Sequence, residues 1–223
     1  MPIERRQIEV QPNLSVSSAW IQTDRSSHVA AVLAHGAGAG MDHEFMVYFH
    51  NALAEAGVSC VRFNFPYIER GRKAPDRPPL LEKTFRAIVA AVRSQWNPTH
   101  LIIGGKSMGG RMASHLASQG ENVDGLFLLG YPLHPPGKPD RMRREHLASI
   151  RCPCLFVQGT RDNLCRLDLL QPEIESMKAP VDLLVVDGGN HSFLVPARFG
   201  KTKEEVRKEI LDRLLIWIKG LAV

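Results

Sequence analysis

Ser107 lies in Gly105-Lys106-Ser107-Met108-Gly109, directly after the apolar run 101–103 and directly before an amphipathic stretch. A serine on a sharp strand-to-helix turn presents its hydroxyl to a substrate carbonyl, and glycine two positions to either side lets strand and helix approach closely. The turn also sets the serine at a helix N-terminus, where free N–H groups favour an oxyanion, and the N–H of Met108 is one expected donor. A serine hydroxyl is a poor nucleophile near neutral pH and needs a base within hydrogen-bond reach, itself oriented by a carboxylate. Of nine histidines, only His191, in Gly188-Gly189-Asn190-His191-Ser192, follows Asp162, and the glycines before it let its loop bend toward the serine. His28, His43, His50, His100, His115, His134 and His146 are expected on the surface or on helices. For the acid, Asp162 in Gln158-Gly159-Thr160-Arg161-Asp162 follows a predicted strand, with Asp187 and Asp168 as rivals near element ends. The order Ser107, Asp162, His191 is the one such elbows use. The expected chemistry is acyl transfer from an ester or thioester, falling on acidification around pH 6 to 7 as an imidazole of ordinary pKa about 6.5 takes up a proton.

The same Gly-Lys-Ser could close a phosphate-binding loop. That loop requires glycine five positions before Gly105, where His100 stands, so the reading fails on spacing. A second oxyanion donor is expected from His35-Gly36-Ala37-Gly38, with the N–H of Ala37 favoured and that of Gly38 as the alternative. Each such donor is worth roughly 3 kcal/mol in the transition state. Gly36, Gly38, Tyr67, Arg111 and Tyr131 are expected to contact the substrate.

These residues need a scaffold, and the hydrophobic pattern supplies one. Predicted strands at 28–34, 58–63, 101–103, 125–129, 154–157 and 181–186 alternate with helices at 45–56, with Gly57 as cap, at 80–95, from about 107 to 120, at 141–148 and at 167–177. The segments 66–79 and 131–140 read as loops rich in Pro and Gly. Thr202 opens a last helix through a capping box with Glu205, and Val206, Ile210, Leu214 and Trp217 share one face of it. The alternation implies one α/β domain over 1–223, a mostly parallel sheet covered by helices on both faces, preceded by an N-terminal strand or loop segment over about 1–27. Between the strands 125–129 and 154–157 there is room for a loop and one short helix only. No large cap is expected, and the site should be open.

Composition narrows the function classes further. The 223 residues are 44% hydrophobic and 23% charged, an ordinary globular balance. No apolar run approaches the roughly 18 residues of a membrane span. Residues 1–10 lead into no apolar stretch of the secretory kind, so a cytoplasmic address is expected. Four cysteines are too sparse for a disulfide framework, and Cys152 with Cys154 lacks the second pair of a zinc site, so no metal is expected, nor any cofactor. The net charge of +5 permits anion binding. Basic residues cluster at Arg70, Arg72, Lys73 and Arg77 and at Lys138, Arg141, Arg143 and Arg144, without the interleaved aromatics or motifs of a nucleic-acid binder. With Arg111 and Arg161 close to the candidate site, an anionic acyl substrate is one expectation. A monomer or homodimer acting on a small molecule, without nucleic-acid or membrane partners, is the expected form.

His35-Gly36-Ala37-Gly38-Ala39-Gly40, Arg62-Phe63-Asn64-Phe65-Pro66-Tyr67 and Gly105-Lys106-Ser107-Met108-Gly109-Gly110-Arg111 together resemble the α/β-hydrolase superfamily, from about His28 onward. More narrowly they are similar to its dienelactone-hydrolase-like branch, which includes the testis-expressed protein 30 family. The resemblance implies the α/β-hydrolase fold, with Ser107 as nucleophile, Asp162 as acid and His191 as base. Dienelactone hydrolase carries a cysteine where Ser107 stands, so a dienelactone is not the expected substrate. A serine peptidase or acyltransferase is the alternative among enzymes. A non-catalytic binding or scaffold protein on the same fold is the alternative from another class, and an intact Ser, Asp and His in order argues against it.

Overall fold

A computed structural model describes residues 1–23 and 29–221. His28, expected to open the first buried strand, lies outside them. One eight-stranded sheet runs in the order β1-β2-β4-β3-β5-β6-β7-β8. Its strands are β1 (Glu4–Gln11), β2 (Leu14–Ile21), β3 (Val29–Ala34), β4 (Ser59–Phe63), β5 (His100–Lys106), β6 (Gly125–Leu129), β7 (Cys154–Gly159) and β8 (Val181–Val186). From β4 to β8 all neighbours are parallel, and β1 and β2 add an antiparallel edge. The central strands are short continuous apolar runs because both of their faces are covered.

The helices are α1 (Glu44–Glu55), α2 (Pro66–Glu69), α3 (Pro78–Trp96), α4 (Met108–Ser118), α5 (Leu167–Ser176) and α6 (Lys203–Leu221). On one face of the sheet Phe45, Phe49 and Leu53 of α1 pack with Val206, Ile210, Leu214 and Trp217 of α6. On the other, Phe85, Ile88 and Val92 of α3 pack with Met112 and Leu116 of α4 and Leu170 of α5. The capping box of α6 forms as expected: Glu205 N–H donates to Thr202 Oγ1 at 3.2 Å and Thr202 N–H donates to Glu205 Oε2 at 2.7 Å.

Two segments depart from the sequence pattern. The helix expected at 141–148 is irregular chain ending in a short 3-10 turn, Leu147–Ser149. Local bonds there close only three-residue turns, such as Leu147 N–H to Arg144 O, while the middle is held by tertiary bonds: Arg143 N–H donates to Leu133 O, and the Tyr131 hydroxyl donates to Arg143 O. The segment 66–79 contains the single turn α2, which Pro66 opens with its preset φ. Among the described residues there is no separate cap domain over the sheet, and no helix is long and apolar enough to cross a membrane. The four cysteines carry free thiols.

Candidate active site

Parallel strands end on the same edge of a sheet, and there the chain changes direction. Ser107 follows β5, Asp162 follows β7 and His191 follows β8, so residues far apart in sequence meet above the sheet. Ser107 has φ +51° and ψ −115°, a strained conformation that costs roughly 1–3 kcal/mol. The surroundings enforce it. Ser107 N–H still bonds to Leu129 O of β6, while Ser107 O accepts the first helical bond from Arg111 N–H. The flanking glycines are sterically required, because a Cβ at Gly105 or Gly109 would fall 2.1 Å or 2.2 Å from the carbonyl oxygen of Ala34.

The Ser107 hydroxyl lies 2.8 Å from His191 Nε2, and His191 Nδ1 lies 2.8 Å from Asp162 Oδ2. A carboxylate can only accept, so Nδ1 carries the proton and Nε2 presents a lone pair to the serine. The Asp162 side chain is fully buried, and its charge is met by donors: Leu164 N–H at 2.8 Å to Oδ1, and Gln158 Nε2 to Oδ2. Gln158 in turn accepts Tyr131 N–H at 2.9 Å, tying the acid to the end of β6. Asn190 shapes the histidine loop by accepting the N–H groups of Ser192 and Leu194. The rival carboxylates stand elsewhere, Asp168 paired with Arg166 on the surface and Asp187 bonded to Thr160.

His35 organises the facing loop. Its Nε2 accepts Phe65 N–H at 3.1 Å, which leaves the ring proton on Nδ1 to donate to Gly36 O at 2.8 Å. Burial lowers its pKa to about 4, in keeping with that neutral tautomer. Gly38 N–H donates to the Tyr67 hydroxyl at 3.2 Å. The N–H groups of Ala37 and of Met108, the first residue of α4, have no acceptor among the described residues.

A cavity of ≈ 520 Å³ opens at Ser107 and His191. Gly36 and Ala37 line it beside Ser107, Phe45, Met46, Leu164 and Leu194 make it largely apolar, and Lys203 and Arg207 of α6 line it together with Glu44, to which both are bonded. Several expected contacts lie outside it. Tyr67 is buried beneath the loop, its hydroxyl used by Gly38 and its ring against His35. Tyr131 is buried and its hydroxyl is engaged by Arg143 O, while Arg111 lies on the side of α4 near Glu82 and Arg143. Gly38, Arg161 and the basic clusters at 69–77 and 138–144 do not line it either. Among the remaining histidines His43 lines the cavity, and His134, expected at the surface, is buried with Nε2 accepting Arg166 N–H. Sequence reasoning missed Gln158 and the cationic residues of α6; the one available signal for the latter was their place one turn apart on the capped helix.

A family model described as an alpha/beta hydrolase domain matches residues 27–219. Among solved structures, an alpha-beta serine hydrolase homologue from Coxiella burnetii is similar at 21% identity and TM-score 0.76, over 96% of this chain and 98% of that one. Dienelactone hydrolase from Anabaena variabilis is similar at 15% identity and TM-score 0.79, over 98% and 97%. A serine hydrolase without lid from Xanthomonas campestris is similar at 20% identity and TM-score 0.70, over 86% and 88%. At these identities the likeness is one of fold.

Proposed function

The chain belongs to the alpha/beta hydrolase domain family, and from that premise we propose that it is a serine hydrolase cleaving an ester or thioester of a small to medium acyl group through an acyl-enzyme. The observation that carries this reading is the unbroken hydrogen-bond line from Ser107 Oγ through His191 to Asp162, both links 2.8 Å long. Ser107 Oγ attacks the acyl carbon as His191 Nε2 takes its proton, and the carbonyl oxygen becomes an oxyanion held by the N–H groups of Ala37 and Met108. Ala37 is the favoured donor because the N–H of Gly38 is occupied by Tyr67. Asp162 keeps the imidazole in the required tautomer and stabilises the imidazolium. His191 then returns the proton to the leaving oxygen or sulfur, a water attacks the acyl-serine by the same route, and Ser107 is regenerated. The largely apolar cavity receives the acyl group, and Lys203 with Arg207, two cations against the one carboxylate of Glu44 in the same lining, favours a substrate bearing negative charge; the molecule acts as a monomer or homodimer.

Intact-mass measurement after exposure to a fluorophosphonate tests the reading, alongside hydrolysis of short neutral and carboxylate-bearing p-nitrophenyl esters of equal length. One adduct on the wild type, none on Ser107→Ala and little on His191→Ala is the expected result, with the carboxylate-bearing ester favoured in kcat/KM. No adduct and no turnover would overturn it in favour of a binding protein on the same fold.

A further inference from the structure

Lys106 immediately precedes the nucleophile, yet its side chain crosses to the opposite wall. Its Nζ donates to the main-chain oxygen of His191 at 2.6 Å and stands 5.3 Å from the centre of the Phe193 ring. The stem passes the oxyanion loop, with Cγ 3.7 Å from where a Cβ at Gly36 would sit, and Nζ lies 2.9 Å from where a Cβ at Gly130 would sit. The ammonium is thus held between the ends of β3, β5 and β6 and the histidine loop, partly buried in the wall of the cavity, and any side chain at position 130 would collide with it. A partly buried ammonium has lost much of its hydration and is costly unless its donors are used, and a charge-assisted bond of this length to a carbonyl is strong and directional.

The carbonyl it holds belongs to the residue whose ring must stay on Ser107 Oγ. Asn190 fixes the loop through the N–H groups that follow His191, and no other donor to the His191 carbonyl is found among the described residues. We propose that Lys106 is a positioning residue: its ammonium, clamped on the His191 carbonyl, ties the base to the elbow and holds the imidazole in line with the serine. The proposal rests on the reading of Ser107 as nucleophile.

The clamp also has a pH range. Burial lowers the Lys106 pKa to about 8, opposed in part by the negative charge of Asp162. The groups facing it are Asp162 and His191 from the loops after β7 and β8, and, around the same cavity, His43 and Glu44 at the start of α1 and Lys203 and Arg207 of α6. Below that pH the ammonium is intact. Above it the amine is neutral and the clamp weakens.

The test is the rate of fluorophosphonate labelling of the full chain from pH 6 to 10, with kcat and KM for a short neutral ester, on the wild type, Lys106→Met and Lys106→Arg. Methionine keeps the stem and removes the charge; arginine keeps a charge that does not titrate in this range. Lys106→Met is expected to lower labelling and kcat on the order of 10- to 100-fold, the scale of a misplaced catalytic group, with KM little changed. Lys106→Arg is expected to recover most of the rate and to lose the decline that the wild type shows above about pH 8. Wild-type labelling by Lys106→Met, or a loss confined to KM, overturns the proposal. Should Lys106→Met fail to fold, the wild type and Lys106→Arg decide: no decline in the wild type up to pH 10, or the same decline in Lys106→Arg, overturns it. Absence of labelling in the wild type at every pH overturns the serine-hydrolase reading itself and the clamp with it.

Discussion

Asp162 is held by more than its histidine. His191, Leu164 N–H and Gln158 all bond its carboxylate, and Gln158 is bonded in turn by the buried N–H of Tyr131. Two substitutions separate charge from support. Asp162→Asn keeps the shape but loses the acceptor that fixes the tautomer, so kcat should fall on the order of 10³- to 10⁴-fold, and because its amide nitrogen must face a buried donor, Gln158 Nε2 or Leu164 N–H, it should also cost about 1–3 kcal/mol of stability. Gln158→Leu should lower kcat less, yet destabilise the fold by about 1–3 kcal/mol, because it strands the N–H of Tyr131 without an acceptor. Parallel measurement of ester turnover and urea unfolding checks both, and equal turnover losses in the two variants would sink the distinction. That Ser107, Asp162 and His191 meet on one edge of the sheet was legible because each follows an apolar run in a glycine-bearing segment. Gln158 and Lys106 were not, since their meaning depends on Tyr131 and His191, which only strand pairing brings near. Tyr67 and Tyr131 misled for a related reason: a residue in a loop after a strand can turn beneath the site as readily as into it.

At the level of elements, the elbow and the last helix obey different constraints. Gly109 lies at the closest approach of α4 to the end of β3, where a methyl group would meet the Ala34 carbonyl at 2.2 Å. Gly109→Ala should therefore destabilise by at least about 1–3 kcal/mol and also slow labelling of Ser107, because relief of the clash must shift the turn. Thr202→Ala removes one cap of α6 and should cost about 1 kcal/mol with labelling unchanged. Thermal melts and labelling rates on both variants check this, and a Thr202→Ala enzyme slowed as much as Gly109→Ala would contradict it. The strands β6 and β8 and the start of α6 were readable from their apolar runs and capping box. The hairpin of β1 and β2 was read only as an undivided N-terminal segment, because an edge strand carrying Glu4, Arg5, Arg6 and Glu9 hides its alternation under charge. The helix expected at 141–148 gives way to isolated turns because the main chain of Arg143 is drawn to Leu133 and Tyr131 across the fold.

Across the whole molecule, buried imidazoles set the response to acid. His35 accepts Phe65 N–H and His50 accepts the Arg62 guanidinium at 2.7 Å, so each must be neutral in the fold. Burial, reinforced at His50 by the Arg62 charge, lowers both pKa values to about 4, whereas in the unfolded chain they return to about 6.5. Between those values the unfolded state binds more protons, so stability is complete above about pH 6.5 and is lost as pH falls toward 4. Urea unfolding at pH 7.5 and 4.5 should show a lower midpoint in acid, and equal midpoints would exclude this account. The fold class was legible as a whole because strand and helix alternate regularly; the lining of the cavity was not, because α6 reaches it only after the sheet is complete. On the proposed mechanism, the bare edge of the sheet, over which the described residues fold no separate domain, fixes the fate of the covalent intermediate. An acyl-serine formed there would meet bulk water undiluted, so a competing alcohol or amine at low concentration is outnumbered and the partition runs to hydrolysis unless the cavity itself binds the acceptor.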